Sequence, residues 1–506
     1  MQIVWFKRDL RIEDHAPLTQ ASAQGPFIPL YILEPKLWAE PDYSKRQYDF
    51  LCETLKELQQ DLAVRGQKLI IRVGDAESVF SDLHKQYGVQ SIWSHQETGN
   101  LWTYARDRKI HAWVKKHCVV WYELPNNGVI RKLKSRNGWA VKWLKRMQKP
   151  VISPPEKFIS VTIDTMPIPK PEEINIPDDG CYKRQHGGRN AALKCLQSFL
   201  HERGTFYTKE MSSPRTAYTS CSRLSTHIAF GTLSIREVFQ AASLRAIEIK
   251  QDSSLPYQKA WQQAMRSFLG RLRWHCHFIQ KLEDQPRIEK AYLHSAYRQL
   301  RPKSGNQDYL LAWKTGKTGY PMIDACMRSL IATGWLNFRM RAMLVSFAAY
   351  HLWLDWREFA PYLGSLFVDY EPGIHYAQVQ MQSGTTGINS IRIYNPIKQG
   401  IDQDPEGEFI KKWIPELINM PNTCIHTPWI YPTKMGNYPQ PIVDEAQARK
   451  SAADKIYALR KPPMHQLEAQ AVFEKHGSRK SGLKPTSNPL KKRIPVKNSP
   501  QKELIF

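Results

Sequence analysis

The sequence predicts an α/β fold class, with an N-terminal doubly wound parallel-sheet domain followed by an all-α domain. Three observations lead there. Through residues 1–130, short apolar runs alternate with polar, helix-patterned stretches, the rhythm of strand–helix–strand units. From Arg189 onward, apolar residues recur at three- and four-residue spacing and strand signals cease. A chain of 506 residues also exceeds what one core organises, so two domains are expected.

In chain order, IVWF (3–6), FIPLYIL (27–33), KLIIRV (68–73), VQSIW (89–93) and VVWYEL (119–124) read as buried parallel strands. Ligands of such sheets favour the carboxyl ends of the strands. No G-x-G-x-x-G follows any of them, so a Rossmann dinucleotide site has no support. Residues 131–149, RKLKSRNGWAVKWLKRMQK, form a basic run with Trp139 and Trp143 interleaved. Contact with nucleic-acid phosphates and bases is one reading of it. A solvated helix face whose tryptophans pack inward at i, i+4 spacing is the favoured one. Proline-rich VISPPEKF and TMPIPKPEEINIPDDG make 131–188 a basic segment and linker. The helical domain spans 189–475. Residues 476–506 carry eight Lys/Arg against one acidic residue and read as a basic disordered tail.

The formal net charge of +25 draws polyanions, with nucleic acid the first candidate and an anionic membrane surface the second. No apolar run reaches membrane-spanning length and no signal peptide precedes the first strand. A soluble, cytoplasmic monomer is expected. Eight scattered cysteines without a CxxC pair indicate reduced thiols, not a disulfide frame, a zinc ribbon or an iron–sulfur cluster. His275, Cys276 and His277 are adjacent on a predicted helix and point apart, so no metal site is expected. The GKT at 316–318 lacks the phosphate-loop glycine, because Leu311 stands there.

Residues 317–417 organise the rest. Ile323, Met327, Leu330 and Ile331, then Met340, Met343, Leu344 and Phe347, fall at helical spacing. Arg339 and Arg341 lie on the second of these helices, and Asp355, Asp369 and Glu371 follow. An arginine in a buried helix needs a carboxylate or a bound anion. Standing alone, the stretch reads as a structural Arg–Asp pair. Its order of pieces, closing on RIYNP and IPEL, resembles the photolyase/cryptochrome family. The resemblance covers the chain to about residue 461, as a divergent member whose subclass is not assigned.

The resemblance implies that the helical domain binds FAD. Ser222-Arg223-Leu224-Ser225 before a predicted helix suits a diphosphate and is similar to the family's Thr-Ser-Arg-Leu-Ser flavin-phosphate segment, with Cys221 in the threonine's place. Tyr207 stands where an aromatic residue precedes that segment. WLNFRMR (335–341) is similar to Trp-x-x-Asn-Arg-x-Arg, with Phe338 at the asparagine and Asn337 one place earlier. Arg341 matches the arginine against the flavin ring and Asp369 its acidic partner, with Glu371 close behind. Phe268 and Arg271 join the same cofactor-binding set. Trp274 matches the tryptophan bordering the lesion pocket, and Arg271 stands where dimer-repair enzymes carry glutamate. Trp356 matches the middle of three electron-transfer tryptophans, with Trp353 and Tyr376 as candidates for another route. The opening VWFKRDLRIEDHAPL looks like the start of an antenna domain. Thr103 replaces the acidic residue before its RARD-like run, so deazaflavin, folate or no antenna all stay open. The implied activity is light-driven DNA repair of the deoxyribodipyrimidine photolyase type, by one-electron transfer from reduced FAD to a flipped-out pyrimidine lesion. No side chain is covalently catalytic, and the DNA is recognised by damage and not by sequence. A cryptochrome-like blue-light photoreceptor is the second reading.

Overall fold

β1 (Gln2–Phe6), β2 (Phe27–Leu33), β3 (Ile70–Val73), β4 (Ser91–His95) and β5 (Val120–Leu124) form one parallel sheet in the order β3-β2-β1-β4-β5. The computed structural model describes residues 1–478. All five expected strands are present. Alternation along β1 sends Val4 and Phe6 to one face and Ile3 and Trp5 to the other. The first face is covered by α1 (Ala16–Gln24) and α2 (Lys45–Val64), through Leu18, Leu55, Leu58 and Leu62. The second is covered by α3 (Ala76–Tyr87) and α4 (Leu101–Lys116), through Phe80, Leu83, Ile110 and Trp113. The sheet is therefore doubly wound. Its strand order reverses between β1 and β4, which sets a topological switch point at their carboxyl ends.

The basic run becomes α5 (Trp139–Met147), which buries Trp139, Trp143 and Met147, with Trp143 edge-on to Phe239 at 5.3 Å, while Lys142 and Lys145 face outward. Its tryptophans are core residues, as the inward-packing reading held. The proline-rich linker then lies along the sheet, where Phe158 N–H donates to Arg65 O at 2.9 Å and Met166 N–H to Ile71 O at 3.2 Å.

Six helices of the second domain matter for the site: α6 (Ser225–Phe230), α7 (Ile235–Gln251), α8 (Gln258–Asp284), α9 (Pro321–Thr333), α10 (Phe338–Ser346) and α11 (Trp356–Leu366). α12 (Pro372–Gln382) packs on α8, and α13 (Pro463–His476) closes the described chain. A Ser234/Glu237 capping box starts α7, and the Asp355 side chain caps α11. Arginines tie the domains together. Arg8 donates to Ala229 O and Tyr370 O, and Arg46 to Leu330 O and Leu366 O. Gly231 adopts φ +73°, and a Cβ there would meet Arg8 O at 2.4 Å, so the junction requires glycine.

The boundary of the tail moves. His476 is the last residue of α13 and is 1% exposed, because its ring packs beside Gln285 of the helical domain. From residue 479 the expected disordered tail lies outside the described residues. Among the described residues no helix is long and apolar enough to cross a membrane.

Candidate functional site

Gly334, at φ +69°, ends α9 in the left-handed region and turns the chain toward α10. Its carbonyl accepts from Val368 N–H at 3.0 Å, which brings the 367–371 loop against the start of α10. There Arg341 donates to both oxygens of Asp369, at 3.0 and 2.8 Å, and through Nε to Leu336 O at 2.6 Å. This bidentate fork fixes the guanidinium plane. Asn337, at the N-cap of α10, donates to Met211 O and Ser212 O and fastens the neighbouring loop. Its Oδ1, and Nε of Arg339, are buried without a hydrogen-bond partner.

Across from this pair lies the 221–225 segment. Arg203 holds it by donating to the carbonyls of Cys221 and Ser222. Arg223 sits at φ +61° with its guanidinium 4.3 Å from the Tyr218 ring centre and 4.0 Å from that of Trp335. Burial lowers its pKa to about 10, and its Nη1 has no partner. Burial also raises the Cys221 thiol to about 12, while Arg223, Arg271, Arg203 and Arg341 pull it the other way. Tyr207, pushed up to about 12 by burial, stands edge-on to Phe199 and Phe268 within reach of Arg271. Arg271 also reaches Met211 Sδ at 3.5 Å and the face of Phe338 at 5.6 Å.

The structure therefore draws Tyr207, Cys221, Arg223, Phe268, Arg271, Phe338, Arg341 and Asp369 into one region, with Ser222, Leu224 and Ser225 at the start of α6. Three guanidinium groups besides Arg203 bear on the Cys221 thiol, and Asp369 is paired to one of them. Surplus positive charge on one buried and three half-buried guanidinium groups, with an unpartnered Arg223 Nη1 and Asn337 Oδ1, fits an anionic group that also offers donors. FAD has that chemistry, its diphosphate accepting and its flavin N3–H and ribityl hydroxyls donating.

Other expected residues fall elsewhere. Glu371 turns toward the first domain, where Arg8 Nη2 lies 3.6 Å from its Oε2, because that cation is its ion-pair partner. Trp274, one helical turn beyond Arg271 on α8, lies edge-on to His277 at 4.9 Å and tilted against Phe278 at 5.5 Å, and lines a groove with Arg273 and His277. Trp356 is fully buried, 6.3 Å from Tyr376 and 5.7 Å from Tyr292. Trp353 stands apart from that pair. Its ring faces Arg301 at 4.7 Å and Lys455 at 4.6 Å, cations that disfavour an electron hole on the indole.

His375 was missed. It sits in the first turn of α12, its Nε2 donates to Ala360 O at 2.8 Å, and burial lowers its pKa to about 4, so a neutral ring presents Nδ1 as acceptor. Six residues beyond Asp369, it was findable as a buried histidine in an acidic motif. A second cluster, Asp9, His15 and His95, has metal-ligand composition. Leu18 N–H donates to His15 Nδ1, which leaves the proton on Nε2 aimed at Asp9, and His95 Nδ1 lies 2.7 Å from the same oxygen. Hydrogen bonds thus occupy the ligand atoms. At the carboxyl ends of β1 and β2 a cavity of about 50 Å³ lies among Trp5, Tyr31, Glu34 and Arg106. Arg106 covers Trp5 at 4.8 Å and is clamped by Glu34, Glu97 and Asp107. A ring-sized antenna, which needs roughly 300 Å³, does not fit there unless Arg106 moves. Thr103, at the expected folate position, is buried and bonds back to Asn100.

Residues 2–137 match the DNA photolyase model and residues 268–458 the FAD binding domain of DNA photolyase. The chain is 29% identical over 483 residues to a deoxyribodipyrimidine photo-lyase of Escherichia coli (strain K12), covering 91% of this chain and 99% of that one. It is 28% identical over 491 residues to Cryptochrome-2 of Arabidopsis thaliana, covering 90% and 79%. A solved archaeal photolyase from Sulfolobus tokodaii, described with two FAD molecules, superposes with a TM-score of 0.75 at 27% identity, covering 90% and 100%.

Proposed function

The chain belongs to the DNA photolyase/cryptochrome family, with FAD as its cofactor, and on that premise we propose that it repairs pyrimidine lesions in DNA under light. When bound, FAD supplies absorption of blue or near-ultraviolet light and a one-electron donor. The residues of this chain do the rest. Arg341, fixed by Asp369, places a positive edge that stabilises a reduced, anionic ring. Arg223, the 221–225 backbone and the start of α6 hold the diphosphate. Arg271 and Phe338 border the pocket on the substrate side. Tyr376 and Trp356 form the electron relay, and Trp353 does not take part.

The observation that carries the reading is the Arg341–Asp369 fork amid a surplus of half-buried and buried guanidinium groups. A net charge of +25, and the Trp274 groove rimmed by Arg108, Lys132 and Lys134, support repair over signalling. Purified protein would be incubated with oligonucleotides carrying cyclobutane dimers or 6-4 products, in light and in darkness, under reducing conditions. Light-dependent loss of one lesion is expected. If every lesion survives illumination of a flavin-loaded protein, the cryptochrome-like photoreceptor replaces this reading. Arg271, a cation where dimer repair uses a carboxylate, is the feature that favours that second reading.

A further inference from the structure

Trp356 is walled off from any base. Its ring is fully buried, and among the described residues its Nε1–H has no hydrogen-bond partner. An indole N–H only donates, so an indole that has lost an electron becomes neutral by shedding that proton, and here nothing takes it. The positive charge, costly in an apolar core, has to be cancelled by an electron from a neighbour. Two phenols flank the ring: Tyr292, with its centre 5.7 Å away, and Tyr376, at 6.3 Å. Each donates to a carboxylate, Tyr292 to Asp355 Oδ2 at 2.8 Å and Tyr376 to Asp42 Oδ2 at 3.3 Å. The two carboxylates differ. Asp355 is paired to Arg357 Nη2 at 2.6 Å, and its Oδ1 accepts Arg357 N–H at the start of α11. A proton placed there would forfeit that ion pair. Asp42, in the first domain just before α2, is 3% exposed and has no cation within 4.0 Å among the described residues; Lys290 acts on it from farther off. Its Oδ1 has no hydrogen-bond partner, and Oδ2 accepts from Tyr370 as well as Tyr376. Burial outweighs those bonds and holds the Asp42 carboxyl above its ordinary range.

We propose that Asp42 is the proton acceptor that makes Tyr376 the electron donor to Trp356, so that a residue of the first domain takes part in photoreducing the flavin of the second. Trp356 first gives an electron to illuminated, oxidised FAD. One electron then passes from the Tyr376 phenol to the Trp356 radical cation. The phenolic O–H bond breaks, and its proton forms an O–H bond on Asp42. Before this step the three groups hold one positive and one negative charge; after it all three are neutral. The step therefore removes buried charge, whereas electron transfer without the proton would only move it. A thiolate in solution later returns one electron to Tyr376, and the proton goes back to its oxygen from Asp42. Asp42 is favoured over Asp355 because no ion pair is lost when it is protonated. The inference rests on the FAD and Trp356–Tyr376 part of the reading above and not on repair.

The test uses full-length protein loaded with oxidised FAD, flashed without oxygen, and reads transient absorption, paramagnetic resonance and infrared difference spectra. In wild type the tryptophan radical cation should give way to a neutral tyrosyl radical, more slowly in heavy water than in light. The infrared spectrum should gain the carbonyl stretch of a protonated carboxyl at the same time. Asp42→Asn keeps the shape and removes the base, so tyrosyl formation should slow by about a hundredfold or more and the carboxyl band should vanish. Asp42→Glu should restore both. Tyr376→Phe should abolish the tyrosyl signal, and Tyr292→Phe should leave it. If Asp42→Asn does not fold, wild type decides: a tyrosyl radical that forms equally fast in both waters, with no carboxyl band, overturns the proposal. So does the absence of any tyrosyl radical, or an equal rate in wild type and folded Asp42→Asn. A signal lost in Tyr292→Phe and kept in Tyr376→Phe overturns it in favour of the Asp355 side. If no lesion is repaired while the heavy-water effect and the Asp42→Asn loss both appear, the proton acceptor stands and only the repair reading falls.

Discussion

Asp369→Asn removes the charge facing Arg341 while keeping the side chain's shape. The fork is bidentate, and the side chains are 3% exposed for Asp369 and 25% for Arg341. Removing one member of a buried pair costs about 3–5 kcal/mol, because the other charge stays behind unpaired. Water reaches Arg341 in part, so a cost of about 3 kcal/mol is expected. If that cost falls on the flavin-binding state, FAD affinity drops by about two orders of magnitude, at about 1.4 kcal/mol per decade. The assay is titration of apoprotein with FAD by fluorescence, with urea unfolding of the apoprotein run alongside. Arg341→Ala should also release FAD. The double variant Asp369→Asn/Arg341→Met should be more stable in urea than Asp369→Asn alone, since no charge is left stranded. FAD affinity equal to wild type in both single variants would refute the reasoning.

Three further outcomes follow from the structure. His227 and His375 have folded pKa values near 4 and His95 near 3, all lowered first by burial, against about 6.5 in an unfolded chain. Each takes up a proton on unfolding, so stability is full above about pH 7 and falls from about 6.5 toward 4, by up to ~1.4 kcal/mol per unit per histidine. A urea midpoint that is the same at neutral and mildly acid pH would contradict this. Gly231→Ala should lose about 2 kcal/mol or more, from a left-handed backbone and a clash with Arg8 O, seen as a lower thermal midpoint and looser domain docking by proteolysis. Tyr376→Phe and Trp356→Phe should each slow anaerobic photoreduction of the flavin, whereas Trp353→Phe should not; the reverse order would reject the assigned relay.

What the sequence made legible was local. The five strands could be read because sheets buried on both faces demand unbroken apolar runs, as FIPLYIL displays. Trp139 and Trp143 could be placed inward from their spacing alone. Arg341 and Asp369 were legible as a buried cation and a nearby acid within one motif. What the sequence left illegible arose between distant segments. Glu371 pairs with Arg8, which lies near the other end of the chain and enters no local pattern. Trp274 was placed by motif, but its neighbours include a groove wall from α13, some two hundred residues on. Arg106 filled the sheet-edge cavity because Glu34 and Glu97, on separate loops, converge on it. His476 read as tail because composition shifts there, while its burial depends on Gln285.

The most direct measurement is the visible absorption of the full-length protein after incubation with FAD and gel filtration, wild type beside Arg341→Ala. A flavin spectrum should travel with the wild-type protein at close to one FAD per chain and be largely lost from the variant. A colourless wild type, or a variant that holds FAD just as well, would contradict the assignment of the cofactor to Arg341 and Asp369.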